Sequence, residues 1–511
     1  AAAPSGPGSP ASLGAEVMAR IRADRKLVRK YRRLAGPDAD TRHGRLSLVT
    51  NWLHSQLIAL AIGSGGEPAG TWGRRLEALV GAAAIAAPRL LTARYMEDER
   101  RFARAVERSF FGGDLTARGP VRALMLTDTV DELNGVAGTM RRLADYAARH
   151  PGRGIEVVAC GGGNSAPGLR RLSTVTDVEV PAYGDRAWRL GVPALVELAA
   201  LVEDREVEVI HAATPGPMGL AGLLVARLLG RRFVATHHTE LARYVGELTG
   251  DRLAAELTGR AVRWFYGQAE RVYAPSRAAG RALMDDGVDP RRIFIFGRGV
   301  DLELFRPDRR SRLTRRRLGA GDGAVVLYVG RLSPEKGLPL LAEAFRLASA
   351  SRPDLTLALV GEGPGRPALE RALAGARHRF LGPLTGEALA AAYASADVFC
   401  LPSATETFGQ VVQEAAASGL PAVVLERGAA RESVEHGITG LVVPGEPEAL
   451  AAALGRLADD RGLRRALGAA ARRAAGARRG WDEVFDELIA GYAQLGRPRP
   501  GDPLTQRQPA A

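Results

Sequence analysis

Residues 121–160 read VRALMLTDTVDELNGVAGTMRRLADYAARHPGRGIEVVAC, and this stretch decides the predicted fold. It contains a short apolar run, a polar loop with glycines, a segment of helical periodicity and a second apolar run, GIEVVAC. Two apolar runs joined by an amphipathic helix are typical of neighbouring strands in a parallel sheet. The stretch therefore predicts a β-α-β unit, the repeating element of a doubly wound α/β domain.

The same alternation continues along the chain in two series. Strand-like runs of the first series are VEVIHAA, RRFVATHH, RVYAPS and RIFIFG, and those of the second are AVVLYVG, LTLALVG, HRFLG, DVFCLPS, PAVVLE and TGLVVP. A charged segment without apolar periodicity, residues 306–324, separates the two series. We therefore predict two doubly wound, Rossmann-like domains that face a cleft, with ligands at the carboxyl ends of the strands.

The N-terminal part of the chain has a different pattern. Residues 15–118 carry 19 basic and 11 acidic residues and predict a basic helical region. One stripe at helical spacing consists of Leu46, Val49, Leu53, Leu57 and Leu60. The region either packs on the rest of the chain or touches a membrane surface as an amphipathic segment. The full predicted organisation is a disordered tail (1–14), the basic helical region (15–118), a first α/β domain (119–305), a second α/β domain (306–480), a closing helix (481–495) and a disordered tail (496–511).

The net charge of +13 favours an anionic partner, such as nucleic acid, an acidic lipid surface or a phosphorylated substrate. Aromatic residues make up only 5% of the chain and are not interleaved with basic ones, which is unlike proteins that stack nucleic-acid bases. We therefore expect no nucleic acid and favour a phosphate ligand or an anionic membrane surface. Arginines on solvated faces are the alternative explanation for part of the excess charge.

Cysteine usage and hydropathy bear on the cellular setting. Cys160 and Cys400 lie in or beside apolar runs, without a CxxC spacing or a neighbouring histidine, so we expect no disulfide framework and no metal site. A reducing, cytoplasmic setting fits, with peripheral attachment to the inner membrane face as an option. The opening AAAPSGPGSP lacks the features of a signal peptide. Residues 76–91 are apolar but shorter than the roughly 20 residues of a membrane span. Pro88 interrupts them, so no transmembrane helix is predicted.

GRLSPEKG, residues 330–337, directly follows a predicted strand and supplies two cations, Arg331 and Lys336. Only three of the 70 basic residues of the chain are lysine, and the other two are Lys26 and Lys30. A lysine ammonium is a compact charge that can press on one phosphate oxygen, whereas arginine offers a planar fork. The two cations and the free N–H groups of the loop predict a diphosphate site. Chance retention of a surface lysine is the alternative.

SATETFGQVVQEA, residues 403–415, follows the predicted strand DVFCLP. We predict a helix that begins near Phe408, so that the backbone N–H groups of Phe408, Gly409 and Gln410 point at a bound anion. Glu414, on the second turn, could accept both hydroxyls of a ribose, and Glu406 could hold a sugar hydroxyl. A helix with a favourable acidic residue near its N-terminus is the alternative, and it accounts only for Glu406.

Two loops of the first series supply further candidates. Gly135, in the loop after the first predicted strand, permits the backbone to approach a phosphate at the head of the next helix. His237 and His238 end another strand, where neighbouring side chains point to opposite faces, so at most one of them faces the ligand. No metal pair is expected there. His211 is similarly placed, and a structural hydrogen bond explains it equally well.

VGEGPGRP, residues 360–367, has some likeness to a dinucleotide-binding fingerprint. It has the spacing GxGxG rather than GxGxxG, it contains prolines at 364 and 367, and no acidic partner follows at the expected place. We therefore interpret it as a turn that opens a helix.

Taken together, residues 120–495 resemble the retaining GT-B glycosyltransferases of the large sequence family four. The most specific parts are YVGRLSPEKG and the Glu-x7-Glu pattern from Glu406 to Glu414, which is followed by AAASGLPAVV. TPGPMGLAG, HHTELARYV and RGVDLELFRP are similar to the branch of lipid mannosyl- and sulfoquinovosyl-type transferases.

The resemblance implies transfer of a hexose from a nucleotide-diphosphate sugar, GDP-mannose or a UDP-hexose, to a lipid or glycan acceptor. It implies a retained, usually α, configuration and neither a metal nor a cofactor. By motif match, Arg331 and Lys336 would neutralise the diphosphate, with help from Gly135 and the amides of residues 408–410. Glu414 would bind the ribose, Glu406 the donor sugar, and His238 would lie beside the reacting sugar. The helix from Trp481 resembles the family's segment that crosses back onto the first domain.

The chain departs from the family pattern at two places. Residues 1–118 have no counterpart in the core fold, and His237 stands where a bulky residue usually precedes the histidine. Two other hypotheses remain open on the sequence. One is a GT-B-like enzyme of another class, such as an epimerase or phosphorylase. The other is a non-catalytic scaffold that binds a membrane or a partner through its basic N-terminal region.

Overall fold

The structure is a computed structural model that describes residues 39–62, 76, 78–88, 90–92, 94–95, 99, 121–132, 134–161, 163, 165–180, 188–238 and 241–495. The predicted tails and most of the predicted basic helical region lie outside the described residues. Within that region, α1 (Ala39–Ile62) is a helix that lies against strand β4 (Thr174–Val180). Leu57 of α1 is buried with Ala82, and His54 Nδ1 lies 3.1 Å from the carbonyl oxygen of Ala82.

The first sheet has seven parallel strands in the order β3-β2-β1-β6-β7-β8-β9. Its strands are β1 (Ala123–Thr127), β2 (Ile155–Cys160), β3 (Leu169–Leu172), β6 (Val209–Ala212), β7 (Arg232–Thr236), β8 (Arg271–Ala274) and β9 (Ile293–Ile295). Strand β4 pairs antiparallel with β5 (Trp188–Pro193) in a separate ribbon. The helices of this part are α2 (Gly135–Arg149), α3 (Leu195–Asp204), α4 (Pro217–Leu229), α5 (Leu241–Thr249), α6 (Arg252–Gly267) and α7 (Arg277–Asp285). Strands β3, β4 and β5 were not predicted, because the prediction relied on continuous apolar runs and these strands contain charged or polar residues between the apolar ones.

The second sheet has six parallel strands in the order β12-β11-β10-β13-β14-β15. They are β10 (Val325–Val329), β11 (Thr356–Val360), β12 (His378–Gly382), β13 (Val398–Leu401), β14 (Ala422–Leu425) and β15 (Gly440–Val443). The helices are α8 (Arg312–Arg317), α9 (Leu338–Ala350), α10 (Arg366–Ala372), α11 (Gly386–Ser395), α12 (Gln410–Ala417), α13 (Pro447–Asp459), α14 (Arg461–Gly476) and α15 (Trp481–Ala493). All residues of β10, β11 and β13 are buried, as expected for strands covered on both faces.

Both sheets are doubly wound, which confirms the predicted α/β class with two Rossmann-like sheets. In the first sheet β1 lies between β2 and β6, and in the second β10 lies between β11 and β13. Chain direction across the sheet reverses at these strands, so the loops that follow β1 and β10 lie where such sheets bind ligands. Both loops carry residues that were predicted to bind phosphate.

The charged segment between the two series contains a short helix, α8, although it has no apolar periodicity. Ser311 caps this helix by accepting a hydrogen bond from the N–H of Thr314. Two guanidinium groups of the charged segment, those of Arg310 and Arg315, donate to the half-buried carboxylate of Asp397 at 2.9 and 2.6 Å. The sequence pattern of this segment is typical of a solvated linker, but its arginines attach it to Asp397, the residue that precedes β13.

The described residues form two compact units, which are treated separately below. The first comprises the described residues up to Val180 together with Trp188–Phe233, and the second comprises those from Val234 onward. No helix among the described segments combines the length and the apolar character needed to cross a bilayer.

Candidate functional site

The predicted phosphate loop lies in the second unit, and its sharp turn depends on Gly337. After β10 the chain forms a 3-10 turn at Pro334–Lys336, and Gly337 follows with φ of 69°. A Cβ atom at this position would lie 2.1 Å from the carbonyl oxygen of Pro402. Only glycine fits both the left-handed backbone and this close approach. The turn that carries Lys336 is therefore packed directly on the residues that follow β13.

Lys336 meets the other predicted loop through an ion pair. Its Nζ donates to Oε1 of Glu406 at 2.7 Å, and the two side chains keep 22% and 20% of their surface exposed. Thr405 Oγ1 donates to the carbonyl oxygen of Glu335 at 3.0 Å, which joins the same two loops a second time. The loops after β10 and β13 thus form one surface with a cation and carboxylates side by side.

Beneath these loops lies the phenol of Tyr328, at the end of β10. Burial, reinforced by the charges of Glu406 and Glu335, raises the pKa of Tyr328 well above its usual value. The phenol donates to the carbonyl oxygen of Arg331 at 2.8 Å and so fixes the backbone from which the Arg331 side chain leaves. Arg331 itself is half-buried on the same loop as Lys336.

VGEGPGRP packs against this loop, as a turn that opens α10. Gly361 has φ of 132°, and a Cβ there would lie 1.9 Å from the carbonyl oxygen of Gly330. Leu332 N–H donates to the carbonyl oxygen of Glu362 at 2.9 Å. The glycines of this stretch therefore allow two backbone segments to approach each other, and the interpretation as a turn before a helix is confirmed.

Helix α12 begins at Gln410, two residues later than the predicted start near Phe408. The reason is Gly409, whose φ of 82° and ψ of 48° are left-handed and therefore end the helical backbone on that side. Gln410 is the first helical residue, and its side-chain Nε2 donates to the carbonyl oxygen of Gly299 at 3.0 Å. The first N–H groups of a helix have no partner within the helix, so the head of α12 still offers donors.

Glu414 lies on α12 with only 7% of its surface exposed. Its Oε2 accepts a hydrogen bond from the hydroxyl of Tyr393 at 3.1 Å. Burial, followed by the charge and hydrogen bond of Glu414, raises the pKa of Tyr393 well above its usual value. Tyr393 therefore remains a neutral donor that orients the carboxylate.

The structure separates the roles of the two adjacent histidines. His237 is buried, its Nδ1 lies 3.3 Å from the hydroxyl oxygen of Tyr266, and burial lowers its pKa to about 4. His238 is half-buried, and its carbonyl oxygen accepts a hydrogen bond from Thr407 Oγ1 at 2.8 Å. His238 is therefore the histidine that lies beside the loop of Glu406, whereas His237 belongs to the interior.

Arg298 contacts two predicted site residues and was not selected from the sequence. It follows β9, and its Nη2 lies 3.1 Å from Nδ1 of His238. Its guanidinium carbon lies 5.8 Å from the ring centroid of Phe408. The available signal was the stretch RGVDLELFRP, which supported the family resemblance as a whole and did not single out its first residue.

Gly135 lies in the first unit, where it is the exposed first residue of α2. The preceding residue, Asn134, caps the helix by accepting a hydrogen bond from the N–H of Ala137 at 2.8 Å. The backbone at the head of α2 therefore lies at the surface of the first unit. His211, also in this unit, is fully buried in β6, and burial lowers its pKa to about 3.

Asp128, directly after β1, is a second residue that the sequence analysis passed over. It accepts hydrogen bonds from Thr214 Oγ1 at 2.5 Å and from the N–H of Met218 at 2.8 Å. Burial raises its pKa to about 6, although both hydrogen bonds favour the charged form. Asp128 thereby caps α4 at the point where the first sheet changes direction.

Across the described parts of the chain, no three His, Cys, Asp or Glu side chains are grouped so as to share a metal ion.

Comparison with known proteins decides the family. Residues 133–304 match the family described as "Glycosyltransferase Family 4", and residues 311–474 match "Glycosyl transferases group 1". A GDP-mannose-dependent alpha-mannosyltransferase of Mycolicibacterium smegmatis is 36% identical over 384 residues, which cover 73% of this chain and 98% of that protein. This chain belongs to the family 4 glycosyltransferases. It is accordingly an enzyme that transfers a hexose, and the resemblance found in the sequence is confirmed.

Other relatives of this glycosyltransferase agree with the fold and the branch. The sulfoquinovosyl transferase SQD2 of Arabidopsis thaliana is 35% identical over 272 residues, about half of each protein. Among solved structures, Anabaena HepE in complex with UDP and glucose has a TM-score of 0.57 at 23% identity. The match covers 73% of this chain and all of the HepE chain. Sucrose-phosphate synthase of Thermosynechococcus elongatus has a TM-score of 0.60 at 22% identity, over 73% of this chain and 99% of its own. These structures support the GT-B fold.

Proposed function

We propose that this glycosyltransferase moves a hexose from a nucleotide-diphosphate sugar, GDP-mannose or a UDP-hexose, to a hydroxyl of a lipid or other anionic acceptor. The proposal includes retention of the α configuration and independence of metal ions and cofactors. The observation that carries it is the junction of Lys336 with Glu406, where a cation, a carboxylate and the head of a helix share one surface. The identity of 36% to a GDP-mannose-dependent enzyme over nearly its whole length makes GDP-mannose the first donor to test.

In this proposal Lys336 and Arg331 bind the diphosphate. The backbone N–H groups of residues 408–410 assist them. Negative charge grows on the diphosphate as the sugar leaves, and fixed cations and helix N–H groups stabilise it without reorganising. The ion pair with Glu406 keeps the Lys336 ammonium in place before the donor arrives. Glu406 would also accept a hydrogen bond from a hydroxyl of the donor sugar.

Glu414 would bind the hydroxyls of the ribose. Its carboxylate is buried and already oriented by Tyr393, so little conformational entropy is lost when a hydroxyl binds. His238 would lie beside the reacting carbon of the sugar. The acceptor hydroxyl would then attack from the face that the diphosphate leaves and pass its proton to the departing diphosphate oxygen, which retains the configuration and needs no protein nucleophile.

A membrane surface is part of the proposal because α6 presents apolar side chains to solvent. Leu253, Leu257 and Trp264 are 63%, 53% and 56% exposed, and helical spacing places them on one stripe. Exposed Arg260 and Arg263 lie along one side of that stripe, where Arg260 also pairs with Glu256 at 2.7 Å. Apolar side chains bordered by basic ones are typical of helices that lie in the interface of an anionic bilayer. A lipid acceptor would be reached from such a surface.

The test is a donor screen with the full chain, GDP-mannose and UDP-hexoses, vesicles of phosphatidylglycerol or phosphatidylcholine, and EDTA in parallel. We expect transfer of the hexose to a lipid, unchanged by EDTA, with an α linkage in the NMR spectrum of the product. Interconversion of the sugar nucleotide without transfer would favour the epimerase alternative. A β linkage, or activity that EDTA abolishes, would contradict the retaining, metal-independent mechanism.

Titration calorimetry with GDP and UDP tests the diphosphate site directly. Lys336→Ala should weaken binding of the accepted nucleotide by roughly tenfold to a hundredfold, because it removes a hydrogen bond to a charged group. Arg346→Ala is a matched control, since it removes one exposed charge from the following helix, α9. Equal affinities of Lys336→Ala and the control would refute the assignment.

A further inference from the structure

Arg298 connects the two loops that flank the proposed donor sugar. Its Nη2 lies 3.1 Å from Nδ1 of His238, and its guanidinium stands over the ring of Phe408, 5.8 Å from the centroid. The backbone next to it is closely packed, because a Cβ on Gly299 would lie 2.6 Å from the N atom of Trp481. Gln410 Nε2 also donates to the carbonyl oxygen of Gly299 at 3.0 Å. Arg298 is thus presented from a closely packed part of the second unit.

The chemistry of the contact restricts His238. A guanidinium carries five N–H donors and no acceptor, and it stays charged throughout the physiological range. The imidazole nitrogen that faces it must therefore offer a lone pair. With Nδ1 as the acceptor, the single proton of the neutral ring is on Nε2. Thr407 Oγ1, which donates to the carbonyl oxygen of His238 at 2.8 Å, limits movement of the same residue from its backbone.

We propose that Arg298 is a positioning residue, which holds His238 as the Nε2–H tautomer and aims that N–H at an oxygen of the donor sugar. The proposal rests on the proposed function, in which His238 lies beside the reacting sugar. Arg298 itself does not touch the sugar. Without it, His238 can rotate and can place its proton on either nitrogen, so that a hydrogen bond to the sugar is made in only a fraction of the molecules.

Two substitutions of Arg298 distinguish the effect of its N–H donors on His238 from the effect of its packing on Phe408. Arg298→Met keeps a long side chain against Phe408 but has no N–H, whereas Arg298→Lys restores a positively charged donor group without the planar fork. Arg291→Met is the matched control, because Arg291 is an exposed arginine at the opposite end of β9. We expect kcat to fall by about tenfold to a hundredfold in Arg298→Met, as when partners that orient other histidines are removed. Arg298→Lys should recover part of the loss, and Arg291→Met should match the unmodified enzyme.

Two further readouts distinguish positioning from a general structural defect. Calorimetric binding of the nucleoside diphosphate should stay within about threefold in Arg298→Met, because the contact concerns the sugar side of the site. The ¹⁵N NMR spectrum of histidine-labelled enzyme without donor should show His238 protonated on Nε2, and a mixture of tautomers in Arg298→Met. His238→Gln identifies the resonance.

The proposal is overturned if His238 carries its proton on Nδ1, or if Arg298→Met leaves kcat and the tautomer unchanged. It is also overturned if His238→Gln keeps full activity, because the positioned group would then do no work. Failure of the proposed function would give a different result. The unmodified enzyme would then turn over no donor, while the tautomer of His238 could still be measured in the free protein. A rise in nucleotide dissociation constant equal to the fall in kcat would instead assign Arg298 to general support of the site.

Discussion

At the scale of single residues, charge pairing organises the candidate site. The ammonium of Lys336 donates to Glu406, and the hydroxyl of Tyr393 donates to the buried carboxylate of Glu414. A half-buried ion pair contributes little net stability on its own, because desolvation offsets the Coulomb attraction. Such a pair does fix two charged groups in space. We infer that the ion pair of Lys336 and Glu406 serves to preorganise the site for a charged ligand more than to stabilise the fold.

Glu414→Gln tests the ribose assignment. The substitution keeps size and burial but leaves one acceptor oxygen instead of two, so the KM for the donor should rise by roughly tenfold or more. Tyr393→Phe is the matched control, because it removes the hydrogen bond to Glu414 and leaves the carboxylate in place. It should raise KM much less. If both variants raise KM equally, the carboxylate acts through its contact with Tyr393 and does not bind the ribose.

At the scale of elements, glycines decide how the βα loops are built. Gly337 and Gly409 both have left-handed backbones, one after the lysine turn and one before α12. Each allows its loop to turn sharply and to approach a neighbouring segment closely. The loops after β10 and β13 therefore reach the same place from adjacent strands of the sheet.

Gly337→Ala tests this dependence on backbone geometry. A left-handed alanine costs about 1–2 kcal/mol, and here its Cβ would also collide with the carbonyl oxygen of Pro402. We expect a loss of roughly 3 kcal/mol or more, seen as a lower urea midpoint, together with loss of nucleotide binding. Gly437→Ala is the control, since Gly437 has φ of 77° and no atom within 4 Å of the added Cβ. Equal midpoints for the two variants would mean that the Pro402 contact relaxes freely.

At the scale of the whole molecule, the buried histidines make stability depend on pH. Burial lowers the pKa of His211 to about 3 and that of His237 to about 4, whereas an unfolded histidine titrates near about 6.5. The folded state therefore binds fewer protons than the unfolded state between these values. The contribution to stability is fully present above about pH 6.5 and declines as the pH falls toward about 4.

We expect the urea midpoint to fall between about pH 7.5 and pH 5. His237→Gln cannot take up the proton, so the fall should be smaller in this variant, even if its midpoint at the higher pH is lower. The control is His150→Gln at the end of α2. The same fall in His237→Gln as in the unmodified chain would contradict the assignment.

Local sequence determined most strands, helices and glycine loops of the two doubly wound sheets, with β3 and α8 as exceptions, since hydrophobic periodicity and backbone freedom act over a few neighbouring residues. It also placed Lys336, Glu406 and Glu414 in loops or helices at the carboxyl ends of strands. Only the tertiary structure decided that Lys336 pairs with Glu406, 70 residues away, and that Arg298 meets His238, 60 residues away. Such pairs depend on which strands become neighbours in a sheet and on how the loops pack. No periodicity along the chain encodes that distance.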